Sequence, residues 1–125
     1  MEAAMAKKDE LGRRGEELAA RYLIARGYRI VDRNWRCQLG EIDLVVERRG
    51  EVAVVEVKTR SSVAFGHPFD AITPAKAARL RRLAALWCAA APTPPRTLRI
   101  DAVAVIAPSG VADRDVVVEH LTGVC

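Results

Sequence analysis

At 125 residues the chain fits one globular domain and leaves no room for a second with its own core. Half of the residues are apolar and 29% are charged, an ordinary globular balance that excludes a disordered tail, a collagen-like repeat and a fibre. Twenty basic against 16 acidic side chains leave a net charge of +4, a mild bias toward anionic partners.

Distribution says more than the total. Between Ala71 and Ile100 stand six basic residues (Lys76, Arg79, Arg81, Arg82, Arg96, Arg99) and no acid. Such a stretch is either a positive surface for phosphates or a solvated helix face. Aromatics make up only 5%, too few for a platform of several exposed rings, so Trp35, Trp87, Tyr22, Tyr28, Phe65 and Phe69 read as core or loop anchors. Cys37, Cys88 and Cys125 are widely spaced without a CxxC pair, which argues against a disulfide framework or a zinc site. The opening MEAAMAKKDE lacks the apolar core of a secretory signal, and LAALWCAAA is too short to span a bilayer. A cytoplasmic protein without membrane contact is expected, with residues 1–8 flexible.

From about Asp9 to Arg26 the spacing predicts a helix. Leu11, Gly15, Leu18, Tyr22 and Ala25 form its stripe, Ala19 and Leu23 flank it, and Gly27 is the stop. Tyr28 to Trp35 alternates loosely and reads as a strand. GEIDLVVERRGEVAVVEVKTR then predicts two strands joined by a tight turn at Arg49-Gly50. Thr73 caps a second helix with Pro74 at its first position; Ala77, Leu80, Leu83, Ala84 and Trp87 make the buried stripe, and the helix ends before Pro92. Leu98 to Ile106 and Asp115 to Leu121 predict two more strands around a turn at Pro108-Ser109-Gly110. The order is α, β, β, β, α, β, β.

The chemistry concentrates in the hairpin. Along its second strand Val52, Val54, Glu56 and Lys58 point one way and Ala53, Val55 and Val57 the other, so the strand is central and covered on both sides. Leaving Glu56 or Lys58 buried and unpaired would cost several kcal/mol; they must pair, reach solvent or bind something. On the preceding strand Glu41, Asp43 and Val45 share a face opposite Ile42, Leu44 and Val46, and Asp43 lies as far from the turn as Glu56. Asp43, Glu56 and Lys58 therefore converge. Two carboxylates ~4 Å apart repel by roughly 4 kcal/mol at an effective dielectric near ~20, more than one lysine relieves. A divalent cation relieves more, and magnesium suits a few carboxylates, retained waters and a substrate phosphate. Glu16, on the edge of the first helix's apolar stripe, faces the same sheet, whereas Glu17 is rotated toward water. A structural ion-pair network is the alternative reading of the same residues.

The runs GEIDLVV and VAVVEVKTR, preceded by RGEELAARYL and RNWR, resemble the YraN-like uncharacterised protein family of bacteria, UPF0102. The resemblance runs from about Gly12 to His120. That family is similar to the PD-(D/E)xK restriction-endonuclease-like superfamily and, in layout, to archaeal Holliday-junction resolvases. The resemblance implies an α/β fold with a restriction-endonuclease-like αβββαβ core, a mixed central sheet flanked by helices, and a single magnesium (or manganese) nuclease site. By position it implies Asp43 and Glu56 as acidic metal ligands with the main-chain carbonyl of Val57, Lys58 as the motif lysine, and Glu16 as the helix acid near the metal. Glu41, in the GEID motif, would contact a metal-bound water or support a ligand. Ile42 stands where the superfamily name has proline, which carries no chemistry.

The expected function is a magnesium-dependent DNA endonuclease, acting on branched or recombination intermediates and working as a homodimer. Arg60, Lys76, Arg79 and Arg82 would bind phosphates without reading bases. The loop TRSSVAFGHPFD follows Lys58 directly and is long enough to move over substrate, with His67 as a turn residue. Asp101 shares a strand face with Arg99, as a structural pair or, in the alternative, at the border of the site. A nucleic-acid-binding or scaffold protein that keeps the fold without turnover is the competing reading, and an RNA nuclease would share the chemistry.

Overall fold

The computed structural model describes residues 2–124, with residues 2–8 given only as the backbone of the first helix. The expected flexibility of residues 1–8 falls on side chains outside that description. Helix α1 (Glu2–Ala25) is followed by strands β1 (Arg29–Cys37), β2 (Gly40–Arg48) and β3 (Glu51–Arg60). A short 3-10 turn at Pro68–Ala71 leads to helix α2 (Pro74–Ala90), then β4 (Leu98–Ile106), a 3-10 turn at Asp113–Asp115, and β5 (Val117–Leu121). The five strands form one sheet in the order β1-β2-β3-β4-β5. Among the described residues only the β3–β4 pair is parallel, reached through α2 as a parallel crossover requires. This mixed sheet between two helices is the arrangement expected of a restriction-endonuclease-like core.

Local chemistry explains most boundaries. Gly27 adopts φ 89° and closes α1, with Gly27 N–H donating to the Ile24 carbonyl at 3.0 Å and Tyr28 N–H to that of Leu23 at 3.1 Å. At the β2–β3 turn Arg49 and Gly50 both take positive φ, 54° and 79°, the geometry that matches the twist of a two-residue hairpin. The Thr73 hydroxyl accepts from Lys76 N–H at 3.2 Å and caps α2 behind Pro74.

Two apolar layers sandwich the sheet. Leu18, Ala19, Ala20 and Leu23 of α1 pack on Leu44, Val46, Ala53, Val55, Val103 and Val105. On the other face Leu80, Leu83, Ala84 and Trp87 of α2 pack on Val45, Val52, Val54 and Ile100. Strand β3 is thus covered on both faces, as its sequence demands.

The structure departs from the sequence reading in several places. Helix α1 begins at Glu2 rather than Asp9, Ala20 joins its buried face, and Ala25 is exposed because that face centres on Ala19 and Leu23. Ala77 is only half-buried. Strand β1 starts one residue later and ends two later than expected, and β5 begins at Val117 because Asp113–Asp115 is taken by the 3-10 turn. Strict alternation fails in β2: Ile42 joins Val45 on the α2 face instead of Leu44 and Val46 on the α1 face. The cause is local. The β2–β3 ladder stops at Leu44↔Val55, the β1–β2 register slips between Ile30 and Asp32, and Asn34 takes φ 50°. Beyond Leu44 the two strands of the hairpin part, and Asp43 sits in the fork.

Candidate metal and phosphate site

The fork is where the charged side chains meet. Asp43 Oδ2 accepts a hydrogen bond from Val57 N–H at 2.8 Å, replacing the ladder bond that the diverging strands no longer make. The Val57 carbonyl faces the same edge, since a residue in an extended strand directs both main-chain groups to one neighbour. Close packing brings α1 over this point: a Cβ on Gly15 would lie 1.9 Å from Thr59 Oγ1, so only glycine lets the helix approach β3 there. The next residue, Glu16, is thereby delivered to the fork. Carboxylate oxygens of Glu16, Glu41 and Asp43 all lie within 4.8 Å of one another.

Asn34 completes the cluster from β1. With its amide nitrogen turned to the acids it donates to Glu41 Oε1 at 2.8 Å and to Glu16 Oε2 at 3.2 Å. Asn34 is not among the residues expected at the site, and its only local signal in the sequence is that asparagine tolerates the positive φ it adopts. Glu41, expected as a supporting residue, belongs to the same 4.8 Å group as Asp43 and Glu16. Its other oxygen meets exposed Arg36 at 3.2 Å.

Glu56 stands beside Asp43 but turns to Lys58, whose Nζ is 3.1 Å from Glu56 Oε1. Glu41, Asp43, Glu56 and Lys58 line one cavity of about 270 Å³, walled on the α2 side by Ile72, Lys76, Arg79, Leu80 and Leu83. Lys58 also borders a second hollow, shared with Gly12, Glu16, Thr59 and Arg60 on the α1 side. The end of β3 is therefore open to both sides.

Electrostatics single out Asp43. Burial among protein groups, then the charges of Glu56, Glu16 and Glu41, push its carboxyl up to about 8 against the single opposing Val57 N–H. Glu16 is raised too, by burial and by Glu41, with a hydrogen bond from Asp43 offsetting part of the rise. Glu17, as expected, is exposed; it pairs with Arg33 at 3.0 Å, which holds its carboxyl below the usual range.

The basic residues divide. Lys76 and Arg79 face the acidic cavity, and Arg79 also donates to the Leu39 carbonyl at 2.7 Å, tying α2 to the β1–β2 turn. Arg60 is exposed beside the second hollow. Arg82 is not brought to the cavity: it lies with Ala75, Ala78, Arg81 and Ala85 on the outer face of α2. Two further residues are structural. His67 caps the 3-10 turn by accepting from Phe69 N–H at 3.0 Å and meets Glu119 at 2.8 Å. Asp101, fully buried, binds Arg99 with both oxygens (2.7 and 2.8 Å), His120 at 2.8 Å and Gly123 N–H at 3.0 Å.

Residues 15–105, which span every acid of the fork, match the uncharacterised protein family UPF0102. The chain belongs to the UPF0102 family. It is 56% identical over 106 residues to a UPF0102 protein of Clavibacter michiganensis subsp. michiganensis, covering 85% of this chain and 90% of that one. A UPF0102 protein of Arthrobacter sp. is 53% identical over 120 residues, covering 96% and 99% of the two chains. One of Beutenbergia cavernae is 55% identical over 121 residues, covering 96% and 99%. Among the described residues no helix is long and apolar enough to cross a membrane.

Proposed function

We propose that this UPF0102 protein is a cation-dependent endonuclease that hydrolyses phosphodiester bonds in DNA, with branched or recombination intermediates as the substrate class. The observation that carries the reading is the crowding of acids around Asp43. Asp43 is packed among Glu16, Glu41 and Glu56 with one main-chain N–H in its favour, while lysine and arginine line the wall opposite. A purely structural aspartate is built differently, as Asp101 shows.

The donor chemistry fits a hard divalent cation, magnesium or manganese: three carboxylates within 4.8 Å of one another and an adjacent main-chain carbonyl, all oxygen. Glu16, Glu41 and Asp43 would hold it, with the Val57 carbonyl and Glu56 at its edge. When bound, such an ion supplies a Lewis acid toward a phosphate oxygen and makes water a better nucleophile at neutral pH. The chain's own residues do the rest. Glu56 holds Lys58 in place, so that the ammonium faces the cavity and meets negative charge developing on the phosphate. Lys76 and Arg79 attract the sugar-phosphate chain from the α2 side and Arg60 from the α1 side, none of them by reading bases. Asn34 keeps Glu16 and Glu41 from swinging apart. The reading extends to a cytoplasmic protein acting as a symmetric pair, for which sedimentation velocity is the direct measurement.

The test is the purified protein with magnesium or manganese on four-way junction, flap, duplex and single-stranded DNA, beside Asp43→Ala and Lys58→Ala. Wild type is expected to cut at least one branched substrate, and each variant to lose roughly a hundred-fold or more, the scale of a lost transition-state contact. If both variants cut as well as wild type, or if no substrate is cut, the enzyme reading fails; DNA bound but uncut would mark a binding protein, and cleavage confined to matched RNA substrates an RNA nuclease.

A further inference from the structure

Five of the six aromatic side chains are buried or half-buried, as the composition leads one to expect, but Phe65 is fully exposed. The main chain that carries it is held. Gly66 N–H donates to the Val63 carbonyl at 3.0 Å, placing Phe65 at the corner of a closed turn. Gly66 takes φ 107°, and His67 N–H bonds Asp70 Oδ2 at 3.2 Å. Buried Pro68 and the His67–Glu119 contact then fix the base of the turn to the domain. A slack loop would fold such a ring onto nearby apolar surface; this one presents it to solvent.

The position of the turn gives the exposure a meaning. The cavity of the acidic fork and the hollow on the α1 side share Lys58, and that hollow shares Arg60 and Ser61 with a third one, whose lining includes Phe65. Neighbouring hollows thus step from the acids, past Lys58 and Arg60, to a single exposed ring. Along these hollows a sugar-phosphate chain lays its phosphates on Lys58 and Arg60 and carries its next bases to the ring. Every base has a π-face, but only a base out of its duplex stack has that face free.

Resting on the nuclease reading above, we propose that Phe65 stacks on an unpaired nucleobase next to the phosphate held at the fork, so that the protein prefers DNA with a strand discontinuity, fork or junction over continuous duplex. The experiment measures binding of the full chain by fluorescence anisotropy in calcium without magnesium, using a forked DNA and a duplex of the same length. Phe65→Ala is expected to weaken fork binding roughly ten-fold and to leave duplex binding unchanged. Phe65→Leu, apolar but not aromatic, should fall with the alanine variant; Phe65→Trp should keep wild-type affinity, and its added emission should be quenched by the fork and not by the duplex. Equal losses on both DNAs, no loss on either, or a changed oligomeric state in Phe65→Ala each overturn the stacking contact. Because binding is read without cleavage, Asp43→Ala cutting like wild type removes the enzyme reading while the stacking result stands. A wild-type protein that binds neither DNA overturns both.

Discussion

Asp43 on β2 and Asp101 on β4 stand on the two strands that flank β3, and their surroundings drive their carboxyls in opposite directions. Burial raises both, but at Asp101 the hydrogen bonds of His120, Arg99 and Gly123 outweigh it and hold the group below its ordinary value. Replacing Asp101 by Asn should therefore destabilise the protein by about 3 kcal/mol in urea unfolding at pH 7, the scale of a buried pair broken on one side, because Arg99 and His120 lose their charged acceptor. At Asp43 the charged form is disfavoured in the fold and its pKa is about 8, against 3.8 in the free side chain. A raised acid contributes stability below the unfolded value and loses it as pH climbs through the folded one. Wild type without divalent ions should accordingly lose stability between pH 5 and roughly pH 8 to 9, with Glu16 adding in the same direction. Asp43→Asn keeps an acceptor for Val57 N–H and removes the titration. Its stability at the upper end should exceed that of wild type by at least about 1 kcal/mol, and only wild type should regain stability when magnesium is added. A wild-type midpoint that rises with pH over this range would show that Asp43 is ionised and compensated, leaving the fork no need of a cation.

Between elements, the decisive contact is the approach of α1 to β3 at Gly15 and Thr59. Alanine at Gly15 would gain up to about 1 kcal/mol of helix propensity but forces a Cβ onto Thr59, and overpacking of that kind costs ~1–3 kcal/mol. Overpacking wins. Gly15→Ala should lower the melting temperature and also reduce magnesium-dependent activity, although Gly15 lines neither hollow, because any tilt of α1 withdraws Glu16 from Asp43 and Glu41. A variant that melts lower but cuts normally would detach the position of Glu16 from the reaction.

Across the whole molecule the charge of +4 matters less than its placement. Lys76 lies in the cavity wall whereas Arg82 lies on the outer face of α2, so the two make different contributions to DNA binding. In a titration between about 50 and 200 mM salt, Lys76→Ala should weaken duplex binding and reduce the slope of log affinity against log salt by about 1, the loss of one phosphate contact. Arg82→Ala should leave the slope nearly unchanged. Equal slopes for wild type and Lys76→Ala would mean that the strand does not pass the α2 side of the fork.

The residues that declare themselves locally were legible: the glycine stop after α1, the Arg49-Gly50 hairpin, the Thr73-Pro74 cap, and a β3 strand apolar on both faces until Glu56. These depend on φ preferences, hydrogen-bond caps and periodicities of two and 3.6 residues, which a linear chain carries in itself. Equal distances from the hairpin turn also point to Asp43, Glu56 and Lys58 as neighbours, and all three line one cavity. Tertiary packing alone decided the rest. Whether Glu16 reaches Asp43 depends on how closely a helix sits on a strand more than forty positions away, fixed by the missing Cβ of Gly15. Asn34 enters because β1 is irregular beside the point where β2 leaves β3, and such a break follows the balance of three strands rather than the propensity of one. Phe65 looks from sequence like any loop anchor; only the closed turn and its braced base determine that the ring faces water, since exposure belongs to the folded surface and not to a residue type.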